Sequence, residues 1–148
     1  MNNNTTTKVF VYGTLMTGHS NHHLLQGLVG TPAVTVDSHY KMQNHGGFPS
    51  INKEGNTQVI GEVFEVNQRQ LARLDDLENH PNWYKREEVQ VTLHSSQLFC
   101  QRSCETLEVV TAWVYIMSSE RRWDTDRPVI EDSDWNAYIE QQRNLTNR

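Results

Sequence analysis

Lys8-Val9-Phe10-Val11-Tyr12-Gly13-Thr14-Leu15-Met16-Thr17-Gly18 is the stretch on which the fold turns. Its first five residues form an apolar run that does not alternate with polar ones, which predicts a strand covered on both faces. The glycines at 13 and 18 bracket a loop. Asn21 follows as the N-cap of a short predicted helix carrying Leu24, Leu25 and Leu28. A glycine-punctuated turn between a buried strand and a helix exposes successive backbone N–H groups, which suit an anion. Spacing alone is equally served by a plain strand-to-helix turn. Gly13, Gly18 and Ser20 approximate a phosphate-binding loop, but His19 stands where its lysine belongs. A neutral histidine does not replace that charge on a nucleotide's terminal phosphates, so nucleotide binding is not expected.

Working outward, Ala33 to Met42 alternates as a strand, and Asn44 to Asn56 is a Gly/Pro/Asn-rich predicted loop. Val59 to Val66 is a second alternating strand, with Gly61 marking a bulge or a close backbone approach. Asn67 with Gln70 three residues on has the pattern of a capping box; Leu71, Leu74 and Leu77 form the apolar stripe behind it, and Pro81 ends the helix. Val89 to Leu93 and Leu107 to Met117 read as strands around a polar loop holding Cys100 and Cys104. The last stretch, with Trp123, Trp135, Tyr138 and Ile139, ends in a predicted helix capped at Ser133. Strands outnumber helices and do not alternate regularly with them, which excludes a doubly wound sheet. The expectation is an α+β fold: a mixed, curled sheet or small barrel with helices packed outside.

A chain of 148 residues fits one domain, expected over 8–148 behind a disordered lead-in at 1–7. The net charge of −5 and scattered basic residues give no basic face for nucleic acid. No run approaches the ~18 apolar residues of a membrane helix, and Met1 to Thr7 lacks the regions of a signal peptide. Two cysteines make no disulfide framework, so a cytoplasmic setting is expected. His22 and His23 are adjacent and cannot share one helical face, and the other histidines are dispersed; neither a metal nor a cofactor is expected.

Three carboxylates close the capped helix in Leu74-Asp75-Asp76-Leu77-Glu78. At ~100° per residue Glu78 returns to the Leu71/Leu74 side, Asp76 points the opposite way and Asp75 lies at the border. A glutamate turned into the apolar side has a raised pKa and is equipped as a general base. A glutamate in a fraying last turn simply reaches water, and periodicity does not separate the two.

Taken together, these pieces resemble the γ-glutamylcyclotransferase-like family, and most closely its γ-glutamylamine cyclotransferase branch. The resemblance is carried by Val9-Phe10-Val11-Tyr12-Gly13-Thr14-Leu15, Gly18 with Asn21-His22, Phe48-Pro49-Ser50-Ile51, Gly61-Glu62-Val63-Phe64, Leu74-Asp75-Asp76-Leu77-Glu78, Tyr84-Lys85-Arg86 and Ala112-Trp113-Val114-Tyr115. It implies a compact α+β fold around a small mixed barrel with a central cavity. It implies that the Tyr12-Gly13-Thr14-Leu15 loop holds the α-carboxylate of a small-molecule γ-glutamyl substrate through its backbone N–H groups, and that Glu78 is the acid/base. Tyr12, Tyr84 and Tyr115 are candidate hydrogen-bonding wall residues of that pocket, or ordinary strand aromatics with their hydroxyls at the barrel rim. The 97–105 insertion and the tail after Ser118 have no family pattern. A non-catalytic carboxylate-binding module on the same fold, or a biosynthetic enzyme that removes a γ-glutamyl protecting group, are the alternatives.

Overall fold

The computed structural model describes residues 6–25, 27–94, 108–117 and 127–146; both cysteines, Trp123, the 97–105 insertion and the start of the tail lie outside them. Five strands close a barrel in the order β1-β5-β2-β6-β7: Thr7–Val11, Ile60–Val66, Thr31–Thr35, Tyr84–Leu93 and Glu108–Met117. All neighbours are antiparallel except β1 and β7, which meet in parallel at Val9 and Trp113. The barrel is therefore mixed, as expected. Val9, Phe10 and Val11 are all buried, the signature of a strand covered on both faces. β1 starts at Thr7, inside the expected lead-in, and the Thr6 hydroxyl donates to Glu65 at 3.1 Å.

Gly61 is a close-approach point. A Cβ there would lie 2.2 Å from the Val11 carbonyl oxygen, so only glycine lets β5 run so tightly beside β1.

Beside the barrel lies a three-stranded sheet in the order β4-β3-β8, from Pro49–Thr57, Tyr40–Asn44 and Val129–Ile130. Two sequence expectations change here. The single strand from Ala33 to Met42 is two strands, β2 and β3, in different sheets; exposed Val36 to His39 turn the chain between them. The loop from Asn44 to Asn56 is largely β4. Its first three residues are buried and the other six are half-buried or exposed, so its polar half is a hairpin arm that looks like loop composition. β6 also begins at Tyr84 rather than Val89, because its charged start, Lys85 to Glu88, pairs with apolar β7.

Helix α1, Gln68–Leu77, has the capping box read from its sequence: the Asn67 side chain accepts from Gln70 N–H at 2.8 Å, and the Gln70 side chain accepts from Asn67 N–H at 2.9 Å. Leu71 and Leu74 are buried, but Leu77 is exposed, so the apolar stripe ends one turn early. The short helix after the first loop is a 3₁₀ turn, His22–Leu25, with Leu28 beyond it. Asn21 does not cap it through its side chain, which instead donates to Thr14 Oγ1 at 2.8 Å. Helix α2, Trp135–Thr146, is capped by Asp134, whose Oδ1 accepts from Ala137 N–H at 3.2 Å. The expected cap, Ser133, has φ of 49° and is buried, its hydroxyl bonded to that of Thr57. Among the described residues no helix is long and apolar enough to cross a membrane.

Candidate active site

One end of the barrel opens into a cavity of about 530 Å³. Four parts of the chain wall it: the loop after β1 (Tyr12 to Leu15, with Ser20 and Asn21), the β3–β4 connection (Gly47 to Pro49), the end of α1 (Leu77 to Asn79) and the start of β6 (Trp83 and Tyr84). The two stretches singled out in the sequence, 60-odd residues apart, thus share one cavity.

The first loop is held by its carbonyls. Gly13 O accepts from Met16 N–H at 3.0 Å, Thr14 O from Asn21 N–H at 2.8 Å, and Leu15 O lies 3.1 Å from His22 Nδ1. Among the described residues no protein acceptor takes the amides of Gly13, Thr14 or Leu15. The loop that carries these three amides lines the cavity. Gly13 is fixed by space: a Cβ would lie 2.6 Å from Pro49 Cγ.

Glu78 is the C-cap of α1, its N–H donating to Leu74 O at 2.9 Å and its carbonyl accepting from Tyr84 N–H at 3.3 Å. The carboxylate accepts no hydrogen bond among the described residues, and burial alone raises its pKa from 4.5 to about 7. Asp76 is exposed.

The three tyrosines behave differently. Tyr12 and Tyr84 line the cavity, but their hydroxyls are committed: Tyr12 donates to Tyr115 O at 2.7 Å and Tyr84 to Pro49 O at 3.2 Å. Burial, then the neighbouring Tyr84 and Glu78, pushes the Tyr12 phenol up. Tyr115 is not in the cavity wall. It stands behind it, with its hydroxyl donating to Asp75 Oδ1 at 2.7 Å.

Asp75 is what the helical-phase reading passed over. Besides Tyr115, it accepts from Arg86 Nε at 2.6 Å and Nη2 at 3.1 Å. Burial works against the Asp75 anion, but the Arg86 and Tyr115 hydrogen bonds and the Arg86 charge together hold its pKa below the ordinary value. The Arg86 guanidinium also lies over the Trp113 ring, 4.9 Å from its centroid. A border position on one helix gave no hint of this. The signal was the arginine on a strand whose partner strand carries Trp113 and Tyr115. Among the described residues no group of three His, Cys, Asp or Glu is placed to hold a metal.

The sequence pattern of the family described as gamma-glutamyl cyclotransferase, AIG2-like, matches residues 9–137. A Vibrio cholerae protein provisionally named gamma-glutamylcyclotransferase is 32% identical over 127 residues, 86% of this chain and 93% of that one. The Bos taurus gamma-glutamylaminecyclotransferase is 40% identical over 94 residues, 57% of this chain and 56% of that one. Among solved structures, an AIG2-like protein from Mus musculus superposes with a TM-score of 0.68 at 24% identity, covering 87% of this chain and 88% of that one.

Proposed function

The chain belongs to the gamma-glutamyl cyclotransferase, AIG2-like family, and from that premise we propose that it converts a γ-glutamyl compound into 5-oxoproline and a free amine or amino acid, with Glu78 as acid/base. The observation that carries this reading is the solitary Glu78 carboxyl, raised to about 7 by burial, in the same cavity as the unclaimed Gly13-to-Leu15 amides.

In the proposed reaction the substrate's own α-amine attacks its γ-carbonyl and closes a five-membered ring, breaking the bond to the leaving amine. Both reacting groups belong to one molecule, so the rate depends on folding the glutamyl chain until they meet. Anchoring the α-carboxylate on the Gly13, Thr14 and Leu15 amides next to Glu78 supplies that fold. The amine reacts only after losing a proton. From an α-ammonium near ~8 to an ordinary glutamate near ~4.3, that transfer is uphill by about 5 kcal/mol; to a carboxylate near 7 it is uphill by about 1.4 kcal/mol. Burial of Glu78 thus removes most of this part of the barrier. Glu78, now protonated, is then the acid that delivers the proton to the departing nitrogen. The phenols of Tyr12 and Tyr84, already donating to backbone carbonyls, form fixed walls rather than proton carriers.

Glu78 is the sole formally charged side chain among the described residues of the cavity wall, and Phe48, Leu77 and Trp83 make its rim apolar. This favours a leaving group without a carboxylate of its own, in keeping with an amine product. The test is incubation with a panel of γ-glutamyl amines, γ-glutamyl amino acids and γ-glutamyl peptides, measuring 5-oxoproline. Release from at least one of them is expected; binding without release from any would favour a carboxylate-binding module.

A further inference from the structure

We propose that Asp75 and Arg86 form a clamp that positions Glu78, so that the pair belongs to the catalytic apparatus although neither touches the cavity. It rests on Glu78 being the acid/base. No side chain among the described residues holds the Glu78 carboxylate, so its placement falls to the backbone turn that bears it. That turn is tied at both ends to one cluster. On the helix side Asp75, one turn before Glu78, takes two hydrogen bonds from Arg86, at 2.6 and 3.1 Å, and one from Tyr115 at 2.7 Å. On the strand side Arg86 is the third residue of β6, its N–H donating to His80 Nδ1 at 3.2 Å, while His80 N–H donates back to Asp75 O at 2.9 Å. The segment from 75 to 86 is thereby a closed loop with Glu78 inside it.

Two further contacts anchor the loop to the barrel. Arg86 rests on Trp113, and the Tyr115 carbonyl accepts the Tyr12 hydroxyl at 2.7 Å. Tyr115 therefore connects the turn that carries the base with the residue that opens the anion loop. An exposed ion pair would hold little. This one is bidentate, only partly exposed and reinforced by a phenol and an indole, a geometry in which guanidinium is not replaceable by ammonium.

The experiment follows Arg86→Ala, Arg86→Lys and Tyr115→Phe by two measurements. The first is the carboxyl ¹³C titration of Glu78, which needs no turnover. The titratable groups facing Glu78 are the phenols of Tyr12, Tyr84 and Tyr115; burial pushes those of Tyr12 and Tyr115 up and out of this range. Removing the Arg86 cation leaves Asp75 uncompensated, which by charge alone would move Glu78 upward. Loosening the turn admits water and moves it downward, toward the ordinary carboxylate range. A downward shift is expected, smaller in Tyr115→Phe.

The second measurement is 5-oxoproline release by variants whose near-ultraviolet circular dichroism shows them folded. A displacement of about 1 Å costs on the order of 10²-fold, so kcat should fall about 10- to 100-fold in Arg86→Ala with KM nearly unchanged. Added guanidinium ion should restore part of it, and Arg86→Lys should recover little. An unchanged or upward-shifted Glu78 titration, or wild-type kcat in folded Arg86→Ala, overturns the clamp. If Arg86→Ala does not fold, Tyr115→Phe and Arg86→Lys decide by the same titration. If the wild-type protein releases no 5-oxoproline while the titration shifts downward, the clamp stands and the proposed reaction falls.

Discussion

Burial lifts the Glu78 carboxyl from 4.5 to about 7, so its proton leaves in the range where most assays are run. The base form dominates above that value, so kcat/KM should rise with pH through about 7 and fall again above about 8, where the substrate ammonium that supplies the leaving group's proton is lost. An unbroken plateau down to about pH 5 would remove Glu78 from the role of base. The same displacement acts on stability with a definite sign. The folded state holds the Glu78 proton more tightly than the unfolded chain does. Its contribution is therefore fully present below about 4.5 and lost as pH rises through about 7. Glu78→Gln escapes that loss. Its stability relative to wild type should climb across this window, from no difference at its acid end to at most about 3 kcal/mol at its alkaline end, read as denaturant midpoints. Its turnover should drop by roughly 10²–10⁴, whereas the exposed Asp76→Asn should leave turnover nearly intact.

Among the elements, α1 was the most legible and β4 the least, for opposite physical reasons. Asn67 and Gln70 satisfy helix-end amides locally, so the capping box depends on nothing distant and could be read from four residues. Asn67→Ala should cost about 1 kcal/mol and lower the melting temperature without changing KM. β4 owes its existence to pairing with β3, and Lys53, Glu54 and Asn56 in its polar half are exposed. No local preference marks such a strand. The same holds for the division between β2 and β3, which is a choice of sheet rather than of conformation. Helical phase put Glu78 on the Leu71/Leu74 side but left its burial open, and it gave no sign of Asp75, whose partners lie on β6 and β7. Gly13 belongs with the tertiary group: its neighbour is Pro49, which the sequence places far away. Gly13→Ala must push β4 off the loop, and a loss of about 1–3 kcal/mol together with most of the activity is expected.

For the whole molecule, the decisive fact is that strands far apart in the chain pair with each other. β1 meets β5 and β7, and β2 meets β5 and β6, so long-range contacts dominate the barrel. Topologies of this kind fold in milliseconds to seconds rather than microseconds. Stopped-flow refolding followed by tryptophan fluorescence should give a main phase in that range; a microsecond phase carrying the full amplitude would contradict it. The parallel contact of Val9 with Trp113 has a further meaning for a chain that is made from one end to the other. During synthesis the first strand waits unsealed until the seventh has emerged, and that late strand also delivers Tyr115 to Asp75. Ribosome-bound chains that stop short of β7 would hold the loop after β1 and Glu78 but neither a closed barrel nor a braced turn. A closed barrel and a braced turn would then arrive together, in the one step that adds β7.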